Sequence, residues 1–313
     1  MRILVTGGSG LVGKALREES LNTTHEWFFS NSQICDLRDY RETATYFASK
    51  KPDYVIHLAA NVGGLFKNLD NNLIMYEENM LINFNVLRAC HENGIKNCIS
   101  LLSTCIFPDK TNYPINETML HNGPPHLSNE GYSYAKRLLD VHCKLYNNKY
   151  NYNYKCIIPT NLYGKHDNFS IKNGHVIPAL IHKCYLESLE NKLNKWVNVW
   201  GTGQPLRQFL YVNDLAKIII NSIDNITWQK EHNSLIVAPT EEISILEVST
   251  IIGKQFRLNN IRLHPEKSDG QYKKTADNSL FKKYFPNFQF VSFENGIINT
   301  CRHFFENYSD VRK

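Results

Sequence analysis

A glycine-rich turn directly after the first apolar run is the feature that most constrains the fold of this chain. Residues 2–6 (RILVT) form a short β-branched run, and Gly7–Gly13 (GGSGLVG) follows at once. Between a strand and a helix, this spacing is typical of dinucleotide binding, because the helix N-terminus offers free N–H groups to a pyrophosphate. We expect Gly7 to permit the tight turn, Gly10 to let the backbone approach the phosphates, and Gly13 to let helix and strand pack closely. The alternative is a strand–helix turn that binds no ligand.

Short β-branched runs alternate with longer helical patterns through the first half of the chain. Strands are predicted at 2–6, 27–30, 54–58, 97–102 and 156–159, and helices at 11–21, 73–93 and 132–150. This alternation predicts an α/β fold with a parallel, doubly wound Rossmann sheet.

The regular alternation of strand and helix patterns ends after Gly164, where a second, smaller lobe is expected to begin. A helix is predicted at 175–189, a βα unit at 209–226, and further helices near 244–256 and 293–307. We therefore predict a dinucleotide-binding domain in residues 1–164 and a mixed α/β substrate lobe in residues 165–313. The chain is expected to cross back to the first sheet near 207–226.

The end of the second predicted strand indicates which nicotinamide cofactor is bound. NAD binders usually place an acid there for the ribose 2′-hydroxyl, whereas positions 29–32 read FSNS. A neutral turn with hydroxyls such as Ser30 tolerates a 2′-phosphate, so we predict NADP, used as NADPH. Asp36 and Leu37 are expected to line the adenine site, with a helix cap before Tyr40 as the alternative role of Asp36.

Composition argues against several classes of function. The net charge is +5 without a run of five basic residues, which disfavours nucleic-acid binding. No apolar run approaches the ~20 residues that span a bilayer. The eight cysteines contain no CxxC pair, so we expect reduced, mostly buried thiols and no metal site. The early position of Gly7 leaves little room for a targeting segment, and a cytoplasmic location is expected.

A second motif places Tyr132 and Lys136 in a predicted helix as Tyr-x-x-x-Lys. Residues four apart share a helix face, and the ammonium is expected to lower the phenol pKa from about 10. The pair is common by chance, but Ser103 follows the fourth predicted strand, at the ligand-binding edge of such a sheet. Together the three side chains can bind a carbonyl oxygen and pass it a proton.

This combination resembles the short-chain dehydrogenase/reductase family, in its extended branch that processes sugar nucleotides. Residues 58–60 and Asn79 also match positions where that branch contacts its cofactor. The resemblance implies that Tyr132 is the catalytic acid, Lys136 its partner and Ser103 the hydroxyl that orients a keto oxygen. The implied cofactor contacts are Gly7, Gly10, Leu11, Val12, Gly13, Ser30, Asp36, Leu37, Leu58, Ala59, Ala60, Tyr132, Lys136, Pro159, Asn161, Leu162 and His175.

The segments around this core resemble the GDP-L-fucose synthase family over essentially the whole chain. The matching segments include STCIFP at 103–108, PTNLYG at 159–164, HDNF at 166–169, GHVIP at 174–178 and WGTG at 200–203. The resemblance implies NADPH-dependent conversion of GDP-4-keto-6-deoxy-D-mannose to GDP-L-fucose. It assigns proton transfer at the sugar carbons to Cys105 and His175, whose ordinary pKa values of about 8.5 and 6.5 suit exchange near neutrality. Taken alone, Cys105 reads equally as an inert buried thiol and His175 as a packing residue.

The resemblance also implies a GDP-sugar site and a homodimer that packs through the helices at 73–93 and 132–150. The implied substrate contacts are Asn161, Val176, Leu180, Lys183, Val199, Trp200, Arg207 and Lys274. For Trp200 the alternative is a core aromatic, and for Lys273 and Lys274 it is a solvated face. Two rival functions remain: a 4-epimerase or simple 4-ketoreductase on the same scaffold, and a nucleotide sensor without chemistry.

Overall fold

The computed structural model describes residues 1–225, 228, 232–267, 269 and 273–313. The strands are β1 (Arg2–Thr6), β2 (Glu26–Phe29), β3 (Tyr54–His57), β4 (Asn97–Leu101), β5 (Asn153–Pro159), β6 (Asn161–Tyr163), β7 (Trp196–Trp200), β8 (Leu206–Arg207), β9 (Phe209–Tyr211), β10 (Ser234–Val237), β11 (Ile243–Ser244) and β12 (Asn260–His264). The helices are α1 (Leu11–Ser20), α2 (Tyr40–Lys50), α3 (Leu65–Asp70), α4 (Asn72–Glu92), α5 (Glu130–Tyr150), α6 (Val176–Leu189), α7 (Val212–Asp224), α8 (Ile245–Gln255), α9 (Ser279–Tyr284) and α10 (Phe293–Glu306).

Six parallel strands form the central sheet, in the order β10-β5-β4-β3-β1-β2. The predicted α/β fold with a doubly wound parallel sheet is confirmed. Because all six strands run the same way, their carboxyl ends meet at one edge, where ligands bind in such folds. The glycine turn, the Ser103 segment and the start of β6 all follow strands at this edge.

Alternation along the strands builds a core on each face of the sheet. Leu4 and Val55 are fully buried against apolar residues of α2, α4 and α5. Ile3 and Ile56 point the other way and are buried against α1 and α7. A third core lies outside the sheet and joins α6, α8 and α10 to β7 and β9.

The chain returns to the central sheet after β9. The prediction placed this return near 207–226, of which position 226 lies outside the described residues. β9 itself pairs with β6 in a separate two-stranded sheet. Helix α7 then packs against α1, and β10 adds the sixth strand with Ser234 opposite Cys156. The return therefore runs through α7 and extends to β10.

Within the described ranges, every helix is too short or too polar to cross a lipid bilayer.

Asp214 in α7 is a buried carboxylate whose ionisation should destabilise the fold. It is 1% exposed, and its Oδ2 accepts a hydrogen bond from the Val291 N–H at 2.8 Å. Burial raises the pKa of Asp214 to about 6. A carboxyl with a raised folded pKa contributes most to stability below its unfolded pKa near 4, and this contribution is lost as the pH rises towards 6.

We expect Asp214→Asn to raise the free energy of unfolding at pH 8 by about 1–2 kcal/mol, allowing for solvent screening. The amide oxygen keeps the Val291 hydrogen bond and carries no charge. Urea unfolding at pH 8 and pH 4 measures the effect, which should vanish at pH 4. Asp224→Asn on the exposed side of the same helix is the control. An equal gain at both pH values would contradict the assignment.

Candidate active site

The glycine turn has the backbone geometry that its sequence predicted. Gly7 has a φ of +72°, and a Cβ there would lie 2.7 Å from the Ala59 nitrogen. At Gly10 a Cβ would meet only the Gly7 oxygen, at 3.4 Å, so the space before the turn is open. Leu11 and Val12 form the first turn of α1. The N-terminus of this helix therefore faces a gap that a phosphate can enter.

Gly13 is a position of this turn that has no room for a side chain. A methyl group there would lie 2.5 Å from the Gly7 oxygen and 2.6 Å from the Gly8 Cα, both of which are backbone atoms. We expect Gly13→Ala to displace the turn and weaken NADPH binding by about 100-fold, roughly 2.7 kcal/mol. Fluorescence titration with NADPH measures this. Gly123→Ala is the control, since its Cβ would meet Pro108 at an ordinary 3.4 Å. Unchanged affinity in Gly13→Ala would contradict the prediction.

The Ser30 turn at the end of β2 has its hydroxyl engaged within the sheet. Ser30 is 2% exposed, and its Oγ donates to the Val5 oxygen at 3.3 Å. The Gly8 N–H donates to the Ser30 carbonyl at 2.7 Å, which joins this turn to the glycine turn. Asn31 and Ser32 are the more exposed residues of the same turn. Ser30 would therefore shape a cofactor site mainly through its backbone.

The structure excludes one of the two roles considered for Asp36. Helix α2 begins after Asp39, whose side chain accepts from the Glu42 N–H at 2.9 Å, so a capping role for Asp36 is wrong. Asp36 instead pairs with Arg38 at 2.8 Å, and this pairing lowers the pKa of Asp36. Arg38 also pairs with Glu78 at 2.7 Å. The sequence analysis missed this cation next to the predicted adenine site.

The segment after β3 is tied to α4 by a reciprocal amide pair. The Asn61 N–H donates to the Asn79 Oδ1 at 2.9 Å, and the Asn79 Nδ2 donates to the Asn61 carbonyl at 2.9 Å. The backbone at 58–60 is thereby held against the glycine turn, where a Gly7 Cβ would collide with it. The matched positions 58–60 and Asn79 thus lie together.

A buried chain of hydrogen bonds, absent from the sequence-based predictions, connects this strand end to α5. The Ala59 N–H donates to the Thr6 Oγ1 at 3.3 Å, and that hydroxyl lies 2.8 Å from the His57 Nδ1. The His57 Nε2 lies 3.0 Å from the Asn83 Oδ1, and the Asn83 Nδ2 donates to the Ala135 carbonyl at 3.2 Å. Burial lowers the pKa of His57 to about 3. A neutral histidine therefore links the glycine-turn strand to the helix that carries Tyr132 and Lys136.

Lys136 and Tyr132 meet the sheet edge from the first turns of α5. Lys136 is 1% exposed, and its Nζ donates to the Leu101 carbonyl at the end of β4, at 2.8 Å. Burial lowers the pKa of Lys136 to about 8. Burial also raises the pKa of Tyr132 well above its ordinary value, and the nearby Cys105 adds a smaller effect in the same direction.

The expectation that Lys136 lowers the Tyr132 pKa is therefore wrong for this structure. Removal of the phenol from water raises its pKa, and the Lys136 ammonium donates to the Leu101 carbonyl. A phenol that stays protonated can still donate a hydrogen bond and a proton, which is the role predicted for Tyr132.

The segment that carries Ser103 and Cys105 is fastened to α5. The Cys105 N–H donates to the Ser103 Oγ at 3.4 Å, and the Ser133 Oγ donates to the Cys105 carbonyl at 3.0 Å. One turn further along α5, the Arg137 Nε donates to the Ile106 carbonyl at 3.0 Å. Seven of the eight cysteines are buried, as expected, whereas Cys105 is half-buried. Cys105 is thus the cysteine with an accessible thiol.

A small cavity places two cationic or titratable side chains beside Cys105. Lys274 and His126 line this cavity together with Cys105. Burial lowers the pKa of Lys274, while Cys105 acts in the opposite direction. Of the two neighbouring lysines, Lys273 forms an ion pair with Glu242 at 3.2 Å, whereas Lys274 lines the cavity. No sequence pattern had indicated His126 as a site residue.

His175 and Asn161 come from the two segments that follow β5. His175 immediately precedes α6, is exposed, and does not cap the helix with its side chain. Asn161 lies in β6, and its Nδ2 donates to the Gln208 carbonyl at 3.0 Å. Pro159 ends β5 and Leu162 lies inside β6.

The predicted nucleotide-binding residues lie on α6 and the end of β7. The Lys183 Nζ stacks 4.0 Å from the ring centroid of Trp200. Trp200 is 48% exposed, so its alternative role as a core aromatic is wrong. Leu180 and Val199 are buried in the core beneath, whereas Val176 is open to solvent. An exposed indole beside an ammonium is a suitable platform for a base and its phosphates.

A sequence model of the NAD dependent epimerase/dehydratase family matches residues 3–236. The chain belongs to this family. A GDP-L-fucose synthase from Dictyostelium discoideum is 47% identical over 99% of this chain and 97% of its own length. A probable GDP-L-fucose synthase from Drosophila melanogaster is 45% identical over 100% of this chain and 99% of its own.

A solved relative shares the fold over nearly all of both chains. The crystal structure of a GDP-L-fucose synthetase from Naegleria fowleri bound to NADP superposes with a TM-score of 0.93 and 43% identity, covering 99% of this chain and 94% of that one. Membership of the family accounts for the glycine turn and the Tyr132–Lys136 helix at one sheet edge.

Proposed function

We propose that this protein is a GDP-L-fucose synthase, which epimerises C3 and C5 of GDP-4-keto-6-deoxy-D-mannose and reduces C4 with NADPH. The observation that carries this proposal is the accessible Cys105 held beside Ser103 and α5, in a chain whose full-length relatives bear that name. A simple reductase does not need a reactive thiol at this position. The cofactor proposal is supported by the neutral Ser30 turn and by the NADP-bound relative.

The proposed chemistry follows from the ketone at C4, which acidifies the hydrogens at C3 and C5. Loss of either proton leaves an enolate, whose oxygen Tyr132 and Ser103 stabilise by hydrogen bonds. Cys105 and His175 exchange protons with the carbon from opposite faces, which inverts it. When bound, NADPH supplies the hydride for C4, and Tyr132 protonates the resulting oxygen.

The cofactor is proposed to bind along the carboxyl edge of the sheet. The turn from Gly7 to Gly13 holds the pyrophosphate, and Lys136 holds the nicotinamide ribose. Asp36 and Leu37 line the adenine. The remaining contacts are Leu58, Ala59, Ala60, Pro159, Asn161, Leu162 and His175, which lie at the same edge or on the segments that follow it.

The GDP-sugar is proposed to bind between two lobes, residues 1–164 and residues 165–313 with the chain crossing back as described. Lys183, Arg207 and Lys274 supply positive charge for the diphosphate. Burial lowers the pKa of each of these three groups, and an anionic ligand would offset that desolvation. Trp200 offers a stacking surface for guanine.

Purified protein mixed with GDP-4-keto-6-deoxy-D-mannose and NADPH tests the function. We expect loss of the reduced-nicotinamide absorbance, with GDP-L-fucose as the product identified by NMR. Oxidation of NADPH with an unepimerised sugar product would leave a 4-ketoreductase and remove Cys105 and His175 from their roles. Epimerisation at C3 and C5 without NADPH oxidation would indicate a 3,5-epimerase without reductase activity, and binding without either reaction would indicate a nucleotide sensor.

A homodimer is proposed to form through the outer faces of α4 and α5. These two helices pack against each other and leave large apolar side chains exposed, namely Leu73, Ile74, Leu81, Phe84, Leu138 and Leu145. A continuous apolar face of this kind is typical of a subunit interface.

Light scattering at micromolar concentration is expected to give twice the chain mass of 36.3 kDa. Leu81→Glu should produce monomers, because it places a charge in the interface. Leu193→Glu is the control, since Leu193 is fully exposed elsewhere. A monomeric wild-type protein would refute the dimer.

A cytoplasmic location is proposed for this enzyme, without membrane or nucleic-acid partners. All eight cysteines are free thiols in the structure, which suits a reducing compartment. Fractionation of the cells that produce the protein tests the location.

A further inference from the structure

The carboxylate of Asp167 lies buried behind the candidate site with one oxygen unused. Asp167 is 3% exposed, and its Oδ1 accepts from the Asn168 N–H at 2.7 Å. Its Oδ2 is buried without a hydrogen-bond partner in the part of the chain that the structure describes. An unsatisfied buried carboxylate oxygen is costly, so its retention points to a partner that it acquires in the working enzyme.

The loop between β6 and α6 brings this oxygen close to His175. The Gly174 N–H donates to the Ser170 carbonyl at 2.8 Å, and the Asn168 Nδ2 donates to the Asn173 carbonyl at 3.4 Å. The backbones of residues 168 and 174 are so close that a Cβ at Gly174 would collide with the Asn168 oxygen. Asp167 and His175 are the chain neighbours of these contacting residues, and His175 lies close enough to Asp167 to act electrostatically on its carboxylate.

Two cationic or titratable groups act on this carboxylate. Burial raises the pKa of Asp167, and His175, the Asn168 N–H and Arg312 act in the opposite direction. Arg312 belongs to the C-terminal segment, whose carbonyl accepts from the Phe169 N–H at 2.8 Å. His182, which also faces this loop, is 2.8 Å from the Phe169 carbonyl through its Nδ1. The His175 side chain, by contrast, does not cap a helix and is exposed, so its imidazole is open to a ligand.

We propose that Asp167 is a positioning residue for His175, accepting the N–H of one imidazole nitrogen on its Oδ2. This inference rests on the proposed function. The second imidazole nitrogen is then directed at the sugar as a base, and its tautomer is set by the carboxylate. When His175 takes a proton from carbon, the C–H electron pair stays on the sugar as the enolate. The buried carboxylate stabilises the imidazolium that forms.

The decisive variant is Asp167→Asn, studied in D₂O with NADP⁺ in place of NADPH so that no reduction occurs. NMR follows exchange of the sugar C3 and C5 hydrogens separately. We expect exchange at a carbon from which His175 removes the proton to slow by about 10- to 100-fold. Exchange at a carbon from which Cys105 removes the proton should change little, and the NADPH affinity should remain that of the wild type.

Two further variants separate positioning from a structural role. In a His175→Asn background, Asp167→Asn should cause no additional loss, because the group through which it acts is gone. Arg312→Met removes the other cation near Asp167 and should leave both exchange rates unchanged. An equal loss in both backgrounds, a loss reproduced by Arg312→Met, or full exchange in Asp167→Asn would overturn the proposal.

A measurement on the wild-type enzyme covers the case in which Asp167→Asn does not fold. The ¹⁵N NMR signals of the His175 ring, assigned by their loss in His175→Asn, should show one tautomer with a hydrogen-bonded N–H. An even mixture of tautomers would overturn the proposal. Failure of the proposed function is distinct, because the wild-type protein would then neither exchange the sugar hydrogens nor oxidise NADPH.

Discussion

Cys105→Ser is expected to lower the formation of GDP-L-fucose by about 1,000-fold, within the range for loss of a general acid or base. A serine hydroxyl is a far weaker acid than a thiol, so it neither takes a proton from the sugar carbon nor returns one near neutrality. Cys105 is half-buried and held by Ser103 and Ser133, so a serine fits the same backbone. Product analysis by NMR and NADPH oxidation measure the two reactions separately.

Reduction should survive this substitution, because the side chains assigned to it lie on α5 and at Ser103. We therefore expect continued NADPH oxidation with an unepimerised product. Cys301→Ser, at a buried cysteine in the third core, controls for the general effect of the exchange. Wild-type yields of GDP-L-fucose from Cys105→Ser would remove Cys105 from the mechanism.

Tyr132→Phe is expected to lower kcat by about 1,000- to 10,000-fold while the protein still binds NADPH. The phenol is proposed to stabilise the enolate and to protonate the C4 oxygen, so its loss affects both epimerisation and reduction. Because burial raises the pKa of Tyr132, the hydroxyl remains protonated and available as an acid at neutral pH.

Tyr134→Phe is the matched control, since Tyr134 lies two residues along α5 and faces Arg137 instead. It should retain kcat within a few-fold. A Tyr132→Phe enzyme with kcat within tenfold of the wild type would refute the role of the phenol. Failure of Tyr132→Phe to bind NADPH would show a structural defect and would equally contradict the expected result.

The central sheet and its helices could be predicted from the sequence because their signals are local. The β-branched runs at β1, β3 and β4 end within one residue of their predicted ends. The strand β10 was not predicted, because Ser234–Val237 is a four-residue run whose place beside β5 depends on pairing across distant parts of the chain. The chain was expected to cross back to the main sheet near 207–226, and within this range the strand β9 pairs with β6 outside that sheet.

The candidate site divides in the same way. The spacing of the glycines and of the Tyr-x-x-x-Lys motif follows from backbone geometry, so these residues could be predicted from sequence. The structure brings Gly7, Gly13, Tyr132 and Lys136 to one sheet edge. His57, His126 and Asp167 have no such spacing. The hydrogen-bond partners of His57 lie 51 and 26 residues away, and only the folded chain brings Lys274 near His126 and His175 near Asp167. Of the three, Asp167 lies in the matching segment HDNF at 166–169, whose resemblance could have drawn attention to it.

The sequence by itself determined the parallel α/β fold, the dinucleotide turn and the types of side chain available for proton transfer. These follow from periodicity, backbone freedom at glycine and functional-group chemistry, which neighbouring residues set. Tertiary structure alone decided that Cys105 is accessible while the other cysteines are buried, and that Lys136 binds the Leu101 carbonyl. It also decided that the Tyr132 pKa rises, because desolvation and partner choice depend on everything that packs around a group.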